Sequence, residues 1–455
     1  MTAQTPITTP SLTPGQQEGS NSFFQFLMSE DATFGISGGP GTGKTFLMGH
    51  LANKVMQEYH DACTMLGIAP EYDEVVFTAT TNKAAEVLES SLNIPGTRGQ
   101  VQTIHSYLSL KVQENFKTGK TDITKTNNYT KKPRKIVFID ESSMIDETLY
   151  GIILESFEGS KVIFVGDCDQ LAPVAEELSL VYLNMATDNM VYLDQPVRNA
   201  HSKALMALCA QLRVTVQTGK FRPIKAVPGT IEYLDDEEME DKLNHHFAND
   251  MNPSARILCY TNQRVNFFNE GIRGLRNLPE ELTAGDTVVV ASAYVMGKVS
   301  ISVERELQII RANYSNVIEF GYGELFDDGV PLTYYTMQVM RVLSGRTTAI
   351  PNEQNTFFVN YALDKPRWDA AVKELKRQKA WSEYFTVKGT CADLRDKSAC
   401  TVYKSQGSTY ETVFIDLGNI GTSWDAKQVA RLLFVAASRA STKIYLYGKL
   451  PAKYT

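Results

Sequence analysis

The sequence predicts an α/β protein built on two parallel sheets covered by helices. Three observations carry this. Short apolar, β-branched runs alternate with helical stretches in the first half of the chain, the same alternation returns near its end, and a stretch of different, β-rich texture lies between. Such alternation points to parallel pairing, because a crossover helix returns each strand to the same edge of the sheet.

The elements follow in order. Residues 1–17 are rich in Thr, Pro and Gln, without the basic start or apolar centre of a signal peptide, and read as a flexible tail before the first helix. The first strands are expected at 32–37, 74–79, 135–139 and 161–165, each followed by a turn or helix signal. A helix is expected at 46–56. Residues 110–116 alternate in polarity and end at the turn signal Lys117-Thr118-Gly119-Lys120, which predicts a β-hairpin. The second set of strands is expected at 255–260, 412–415 and 443–447. Between them, Gly285-Asp286 opens a run of Val and aromatic residues, 314–340 reads as short strands and turns, and charged helical sequence follows at 366–384. The expected organisation is a first α/β domain at 1–106 and 136–199, a basic hairpin at 107–135, a second α/β domain at 200–281 and 393–455, and a β-rich insertion with a helical appendage at 282–392. No repeat at a solenoid period interrupts this plan.

Composition narrows the function. At 455 residues the chain suits two to four domains, and 43% hydrophobic residues suffice for their cores. No stretch approaches the ~20 apolar residues of a membrane span. Cys63, Cys168, Cys209, Cys259, Cys391 and Cys400 lie far apart, with no Cys-x-x-Cys pair, which argues against zinc modules and disulfide scaffolds. A net charge of −7 argues against a protein that merely coats nucleic acid. Charge is nonetheless local. Lys111, Lys117, Lys120, Lys125, Lys131, Lys132, Arg134 and Lys135 face only Glu114 and Asp122, whereas 235–241 is acidic and reads as a solvated helix face or loop.

Gly38-Gly39-Pro40-Gly41-Thr42-Gly43-Lys44-Thr45 fits the phosphate-binding pattern G-x-x-x-x-G-K-[ST], between an expected strand and an expected helix. Glycines such as Gly41 and Gly43 let backbone amides, that of Thr42 among them, curl around a β-phosphate at the positive end of the helix. Lys44 would reach the β- and γ-phosphates, and the Thr45 hydroxyl would bind Mg²⁺. The apolar run 135–139 ends in Asp140-Glu141. Alone that is more often a surface turn; beside a P-loop, Asp140 would hold Mg²⁺ and Glu141 would polarise the attacking water.

Gly166-Asp167-Cys168-Asp169-Gln170-Leu171-Ala172-Pro173-Val174 resembles the third signature of superfamily 1 helicases, in which Gln170 would sense the γ-phosphate. The resemblance extends over nearly the whole chain. Leu12-Thr13-Pro14-Gly15-Gln16 is similar to the adenine-reading Q motif, with Gln16 on the base edge. Motif Ia is resembled by Ala79-Thr80-Thr81-Asn82-Lys83-Ala84-Ala85, and motif Ib by Thr103-Ile104-His105. In the family both contact the bound strand, which implies Thr81, Asn82, Thr103 and His105 as contacts. Gln195-Pro196-Val197-Arg198 resembles motif IV and Tyr260-Thr261-Asn262-Gln263 motif IVa, with Thr261 and Asn262 as further strand contacts. Residues 401–408, including Lys404 and Gly407, resemble motif V, and 433–440 resemble motif VI. The resemblance makes Arg198 and Arg439 arginine fingers. Two departures stand out: Thr80 where motif Ia commonly has Pro, and Tyr403 where motif V often has His.

Few residues separate motif Ib from Asp140, and the main insertion lies between motifs IVa and V. That arrangement resembles superfamily 1B, the RecD-like enzymes, especially the compact Dda-type phage helicases. The resemblance implies two RecA-like domains, an SH3-like inserted domain, ATP and Mg²⁺ as cofactors, and 5′-3′ movement on single-stranded DNA with unwinding of duplex forks. It also implies a monomer in bacterial cytoplasm, with single-strand-binding or replication proteins as candidate partners. A pin at the position of the basic hairpin splits the duplex in that family, which makes Phe116 the candidate to stack at the fork; a solvated hairpin with Phe116 packed locally stands beside it. Two other functions stay open: a partner-regulated P-loop ATPase that binds nucleic acid without unwinding, and a superfamily 1 RNA helicase. The lack of a separate carboxylate-lysine cluster and of room for another domain argues against a nuclease.

Overall fold

Pro14 in the first turn and a reciprocal Thr13–Gln16 capping box start the first helix, α1 (Pro14–Met28), inside the segment expected to be a tail. The computed structural model describes residues 12–72, 74–92, 100–114, 121–170, 180–183, 185, 187–195, 202–249, 254–297, 299–301, 303, 305–342 and 356–454. Phe116 and Arg198 lie outside them. Contacts divide the chain into two units, residues 1–110 with 125–213, and 111–124 with 214–455.

In the first unit α1 is followed by β1 (Thr33–Gly38), α2 (Lys44–His50), α3 (Met56–Leu66), β2 (Glu74–Ala79), α4 (Asn82–Ser91), β3 (Gln102–Thr103) and α5 (Ile104–Tyr107); β4 (Leu110–Glu114) and β5 (Thr121–Lys125), next in the chain, fall almost wholly in the second unit. Then come β6 (Lys135–Asp140), α6 (Glu147–Ser156), β7 (Lys161–Gly166), α7 (Leu180–Leu183), β8 (Met190–Leu193) and α8 (Lys203–Thr218). Six strands form one sheet in the order β3-β2-β6-β7-β1-β8, every neighbour parallel. All their carboxyl ends therefore share one edge. Beneath that edge an aromatic core holds the strands: Phe77 stacks on Phe138 at 5.2 Å, and Phe23 of α1 meets both Phe34 and Phe138. Each fully buried ring of this kind contributes about 1.5–3 kcal/mol. Strands β4 and β5 pair with each other in the basic segment.

The helix after the P-loop outlasts its expected end at 56. A π-turn over Leu51–Val55 joins α2 to α3, and Gly67, at φ 69°, supplies the left-handed stop.

The second unit adds β9 (Ile231–Leu234), α9 (Asp236–Phe247), β10 (Ala255–Cys259) and α10 (Asn262–Leu275). An inserted stretch holds β11 (Thr287–Val290), β12 (Tyr294–Met296), β13 (Val299–Ile301), β14 (Glu306–Ala312), β15 (Ile318–Gly321), β16 (Leu332–Arg341), β17 (Thr356–Ala362), α11 (Lys365–Arg377), α12 (Trp381–Thr390) and β18 (Leu394–Asp396). The chain then resumes with β19 (Ala399–Thr401), β20 (Tyr410–Asp416), α13 (Leu417–Ile420), α14 (Ala426–Ser438) and β21 (Ala440–Tyr447). A second all-parallel sheet runs β19-β10-β20-β21-β9. The acidic run proves to be the first turn of α9, where Asp235 and Glu238 form a capping box and Asp236 and Glu237 complement the helix dipole.

The inserted strands form an antiparallel sheet, β15-β16-β14-β11-β18, with β17 also on β16. Its last strand, β18, lies just past the boundary expected at 392. Arg273 of α10 ties the entry to this sheet: buried, it donates to the Asp286 carboxylate and to the carbonyls of Pro279 and Glu281. Helices α11 and α12 close over Trp368, whose indole donates to the Val387 carbonyl at 3.1 Å.

Candidate functional site

In the first unit the carboxyl edge of the sheet gathers the residues that the nucleotide motifs singled out. β1 ends at Gly38, and the chain turns through Gly41 (φ 78°) and Gly43 (φ 80°), left-handed conformations in which glycine carries no steric penalty. Gly43 caps α2 without a side-chain acceptor, so the first amides of the helix have no capping side chain, the geometry of an anion cradle. Thr42 braces the turn by donating its hydroxyl to the Gly39 carbonyl at 2.8 Å. Lys44 Nζ donates to the carbonyls of Gly38 and Gly39 at 2.7 and 3.2 Å, across the mouth of the loop.

Gly38 itself is hemmed in. A Cβ there would lie 2.7 Å from Thr42 Oγ1, 2.8 Å from Leu193 Cβ and 3.0 Å from the Leu193 carbonyl. Gly38→Ala should therefore destabilise the fold by about 1–3 kcal/mol, as overpacking does, read as a lower midpoint in urea unfolding.

Two strands from β1, β6 delivers Asp140 and Glu141. Asp140 is half-buried, and desolvation first, then the neighbouring Glu141 charge, push its carboxyl up to about 7, against the opposing pull of the Lys44 ammonium and the Glu141 amide. Glu141 sits at φ 52°, an uncommon conformation for a non-glycine residue. Between β1 and β6, β7 leads into Asp167 and Gln170. Gln170 is 4% exposed; its Nε2 donates to Asp167 at 3.4 Å, and its Oε1 has no hydrogen-bond partner among the described residues. Gln16 is buried as well. Its Oε1 accepts from the Thr13 amide and its Nε2 donates to the Thr42 carbonyl, so the structure places it as a strut between α1 and the P-loop.

One residue here escaped the sequence reading. Arg213 of α8 pairs with Asp167 and Asp169 at 3.1 Å each, and a Cβ on Gly39 would lie 2.4 Å from its guanidinium. No motif marks it; only folding brings it against the P-loop.

The residues assigned to strand contact share a local plan. Thr81, Thr103 and Thr261 each lie at or just past the end of a strand and cap the next helix, accepting from the amides of Ala84, Ser106 and Arg264. Their hydroxyls are thus engaged in capping, and Asn82 and Asn262 occupy the first helical positions behind them. Asn262 Oδ1 accepts from Arg395 at 2.9 Å. His105 is lowered from the ordinary 6.5 by burial, against the opposing charge of Asp146. The folded state thus holds a neutral ring, and its contribution to stability is full above 6.5 and lost as pH falls below it. The acid limb of a melting-temperature profile should be shallower in His105→Asn than in wild type.

Several basic residues of the hairpin region are already paired: Lys125 with Glu155, Lys131 with Glu158, and Lys135 with Glu74. These pairs are largely exposed and weak enough to exchange for phosphate.

In the second unit Lys404 Nζ donates to the Ala291 carbonyl at 3.0 Å, and Gly407 is left-handed at φ 72°. Tyr403, the departure from the family's His, accepts a hydrogen bond from Gln428 Nε2 of α14 at 2.7 Å, and Gln428 Oε1 accepts in turn from Tyr260 and Ser423. Arg439, at the end of α14, is 3% exposed and donates to Ser438 Oγ and to the carbonyls of Val435 and Ser408. Gln406, inside the segment 401–408 that resembles motif V, has both amide atoms buried and unpartnered among the described residues.

A glycine cradle with its lysine, an acidic pair and a buried glutamine on one edge of a parallel sheet define a P-loop nucleotide hydrolase. Residues 11–225 match the family model described as an AAA domain, and residues 398–447 match the UvrD-like helicase C-terminal domain. An uncharacterized protein of Acanthamoeba polyphaga mimivirus is 22% identical over 505 residues, covering 94% of this chain and 98% of that one. RecBCD enzyme subunit RecD of Buchnera aphidicola subsp. Schizaphis graminum is 29% identical over 163 residues, 32% of this chain and 24% of that one. Among solved structures the chain is similar to the Pif1 helicase from Candida albicans, with a TM-score of 0.49, 15% identity and coverage of 98% of this chain and 96% of that one. It is similar also to the Pif1 helicase from Bacteroides in complex with ADP-AlF3 and ssDNA, with a TM-score of 0.47, 16% identity and coverage of 98% and 94%.

The two family matches fall on the segments that carry the nucleotide motifs and motifs V and VI, in the required order. Together with the RecD similarity they support a superfamily 1B helicase.

Among the described residues, no helix is long and apolar enough to cross a membrane.

Proposed function

We propose that this chain is an ATP- and Mg²⁺-dependent DNA helicase that moves 5′-3′ on single strands and unwinds duplex forks. The observation that carries the reading is the convergence of Lys44, Asp140, Glu141 and Gln170 on the edge of one sheet, in a chain whose second parallel sheet bears motifs V and VI. Lys44 would stabilise the β- and γ-phosphates from the mouth of the loop. Glu141 would take the proton of the attacking water, and the unpartnered Gln170 Oε1 is an acceptor suited to orienting that water. The residues fit a divalent cation: a half-buried carboxyl driven to about 7 beside one lysine favours a cation that would hold it ionised, and Thr45 follows Lys44 in the first turn of α2. Mg²⁺ would supply charge neutralisation there.

The helix amino ends capped by Thr81, Thr103 and Thr261 would each offer backbone amides to phosphates of a strand without reading sequence. Polarity, the pin role of Phe116, the fingers Arg198 and Arg439, and the likeness of the inserted antiparallel sheet to an SH3-like domain rest on the family resemblance.

The test is Mg²⁺-dependent ATP hydrolysis with and without oligo-dT, followed by forks with 5′ or 3′ tails. Strong stimulation and unwinding only of 5′-tailed forks support the reading. Hydrolysis indifferent to single strands would favour a partner-regulated ATPase, and stronger activation by oligo-U than by oligo-dU an RNA helicase.

A further inference from the structure

We propose that Thr80 is a positioning residue that couples the strand-holding turn to Glu141; the proposal rests on the helicase reading above. Thr80 is the residue between β2 and the cap of α4. Its amide donates to the Asp140 carbonyl at 3.2 Å, and its hydroxyl donates to the Glu141 carbonyl at 3.1 Å. One residue therefore holds both peptide carbonyls of the acidic pair.

Glu141 needs holding. Its backbone lies at φ 52°, a conformation that persists only when its surroundings over-determine it. Three further bonds do so locally: the Glu141 amide donates to Asp140 Oδ1, the Met144 amide donates to the Glu141 carbonyl, and the Ile145 amide donates to the Ser142 carbonyl. Thr80 adds a bond to that carbonyl from the residue just past the end of β2. Immediately after it, Thr81 caps α4 and Asn82 begins the helix. A phosphate drawn onto the amino end of α4 shifts a peptide directly bonded to Thr80, and the Thr80 hydroxyl passes that shift to the Glu141 peptide.

Proline, common here in the family, has neither an amide hydrogen nor a hydroxyl and could make neither bond. The link is thus a property of this chain's departure from the family pattern.

The experiment compares full-length wild type, Thr80→Val and Thr80→Ser in steady-state ATP hydrolysis with and without saturating oligo-dT, alongside oligo-dT binding by fluorescence anisotropy. Thr80→Val keeps the shape and removes the hydroxyl. It should lower the ratio of strand-saturated to strand-free kcat about five- to tenfold, the scale of one lost hydrogen bond. The KM for ATP and the Kd for oligo-dT should stay within about twofold, and Thr80→Ser should restore the ratio. A wild-type ratio in Thr80→Val overturns the proposal. So does a weaker oligo-dT Kd with unchanged saturated kcat, which would make Thr80 a strand contact, or a parallel fall of both rates without rescue by Ser, which would make it merely structural. Wild-type hydrolysis indifferent to oligo-dT sinks the helicase reading itself, a result visible before any variant is compared.

Discussion

Lys44→Ala should lower strand-stimulated ATP hydrolysis by roughly a hundred- to a thousandfold, the size of effect seen when one preorganised charge at a reacting centre is removed. The ammonium lies 2.7 Å from the Gly38 carbonyl and 3.2 Å from that of Gly39, at the mouth of the glycine turn. It is also the side-chain cation that opposes the upward push of burial on Asp140. Its loss acts twice, removing the charge that would meet the phosphates and leaving Asp140 still harder to ionise. Two readouts follow. Steady-state kcat should collapse at neutral pH, and the small residual activity should rise with pH over a range displaced upward from that of wild type. The melting temperature should change little, since the side chain is only partly buried. A variant within about threefold of wild type in kcat would remove Lys44 from the mechanism.

Glu141→Gln should be nearly as severe, about a hundred- to ten-thousandfold in kcat, the range for loss of a general base. Unlike Lys44→Ala, it should leave nucleotide binding close to wild type. The amide keeps the size of the carboxylate, and the backbone bonds from Thr80 and Met144 to the Glu141 carbonyl do not involve the side chain. Nucleotide titration beside single-turnover hydrolysis separates the two variants: one loses hydrolysis together with phosphate contacts, the other hydrolysis alone. If Glu141→Gln hydrolysed ATP at the wild-type rate, the attacking water would need another base.

The elements legible in sequence were those whose chemistry is local. The P-loop, Asp140-Glu141 and the Asp167–Gln170 turn are contiguous, and each follows a strand whose apolar run announces it. Strands β1, β2, β6 and β7 consequently lie within a residue of their expected bounds. What escaped was short or assembled at a distance. β8, β9, β18 and β19 have three or four residues each, too few for a periodic signal. The reach of the P-loop helix to Leu66 is hard to read in sequence because the π-turn over Leu51–Val55 shifts the apolar face midway. Arg213 could not be found at all, because its meaning lies in pairing with Asp167 and Asp169 across 46 residues of chain or nearly so. The two departures from the family pattern became intelligible only with partners in view: Thr80 with Glu141, and Tyr403 with Gln428.

The left-handed backbone of Glu141 has a consequence for how this protein can change. Glycine adopts φ 52° freely, whereas glutamate is held there at a cost of about 1 kcal/mol or more. Glu141→Gly would then relieve a local strain while deleting the proposed base. Selection for heat tolerance alone, in a library or in a lineage released from its task, would drift toward a sturdier chain that no longer turns over nucleotide. Thermal robustness and the proposed role of Glu141 in hydrolysis would pull this one position in opposite directions, so any programme to harden the protein has to score hydrolysis alongside melting.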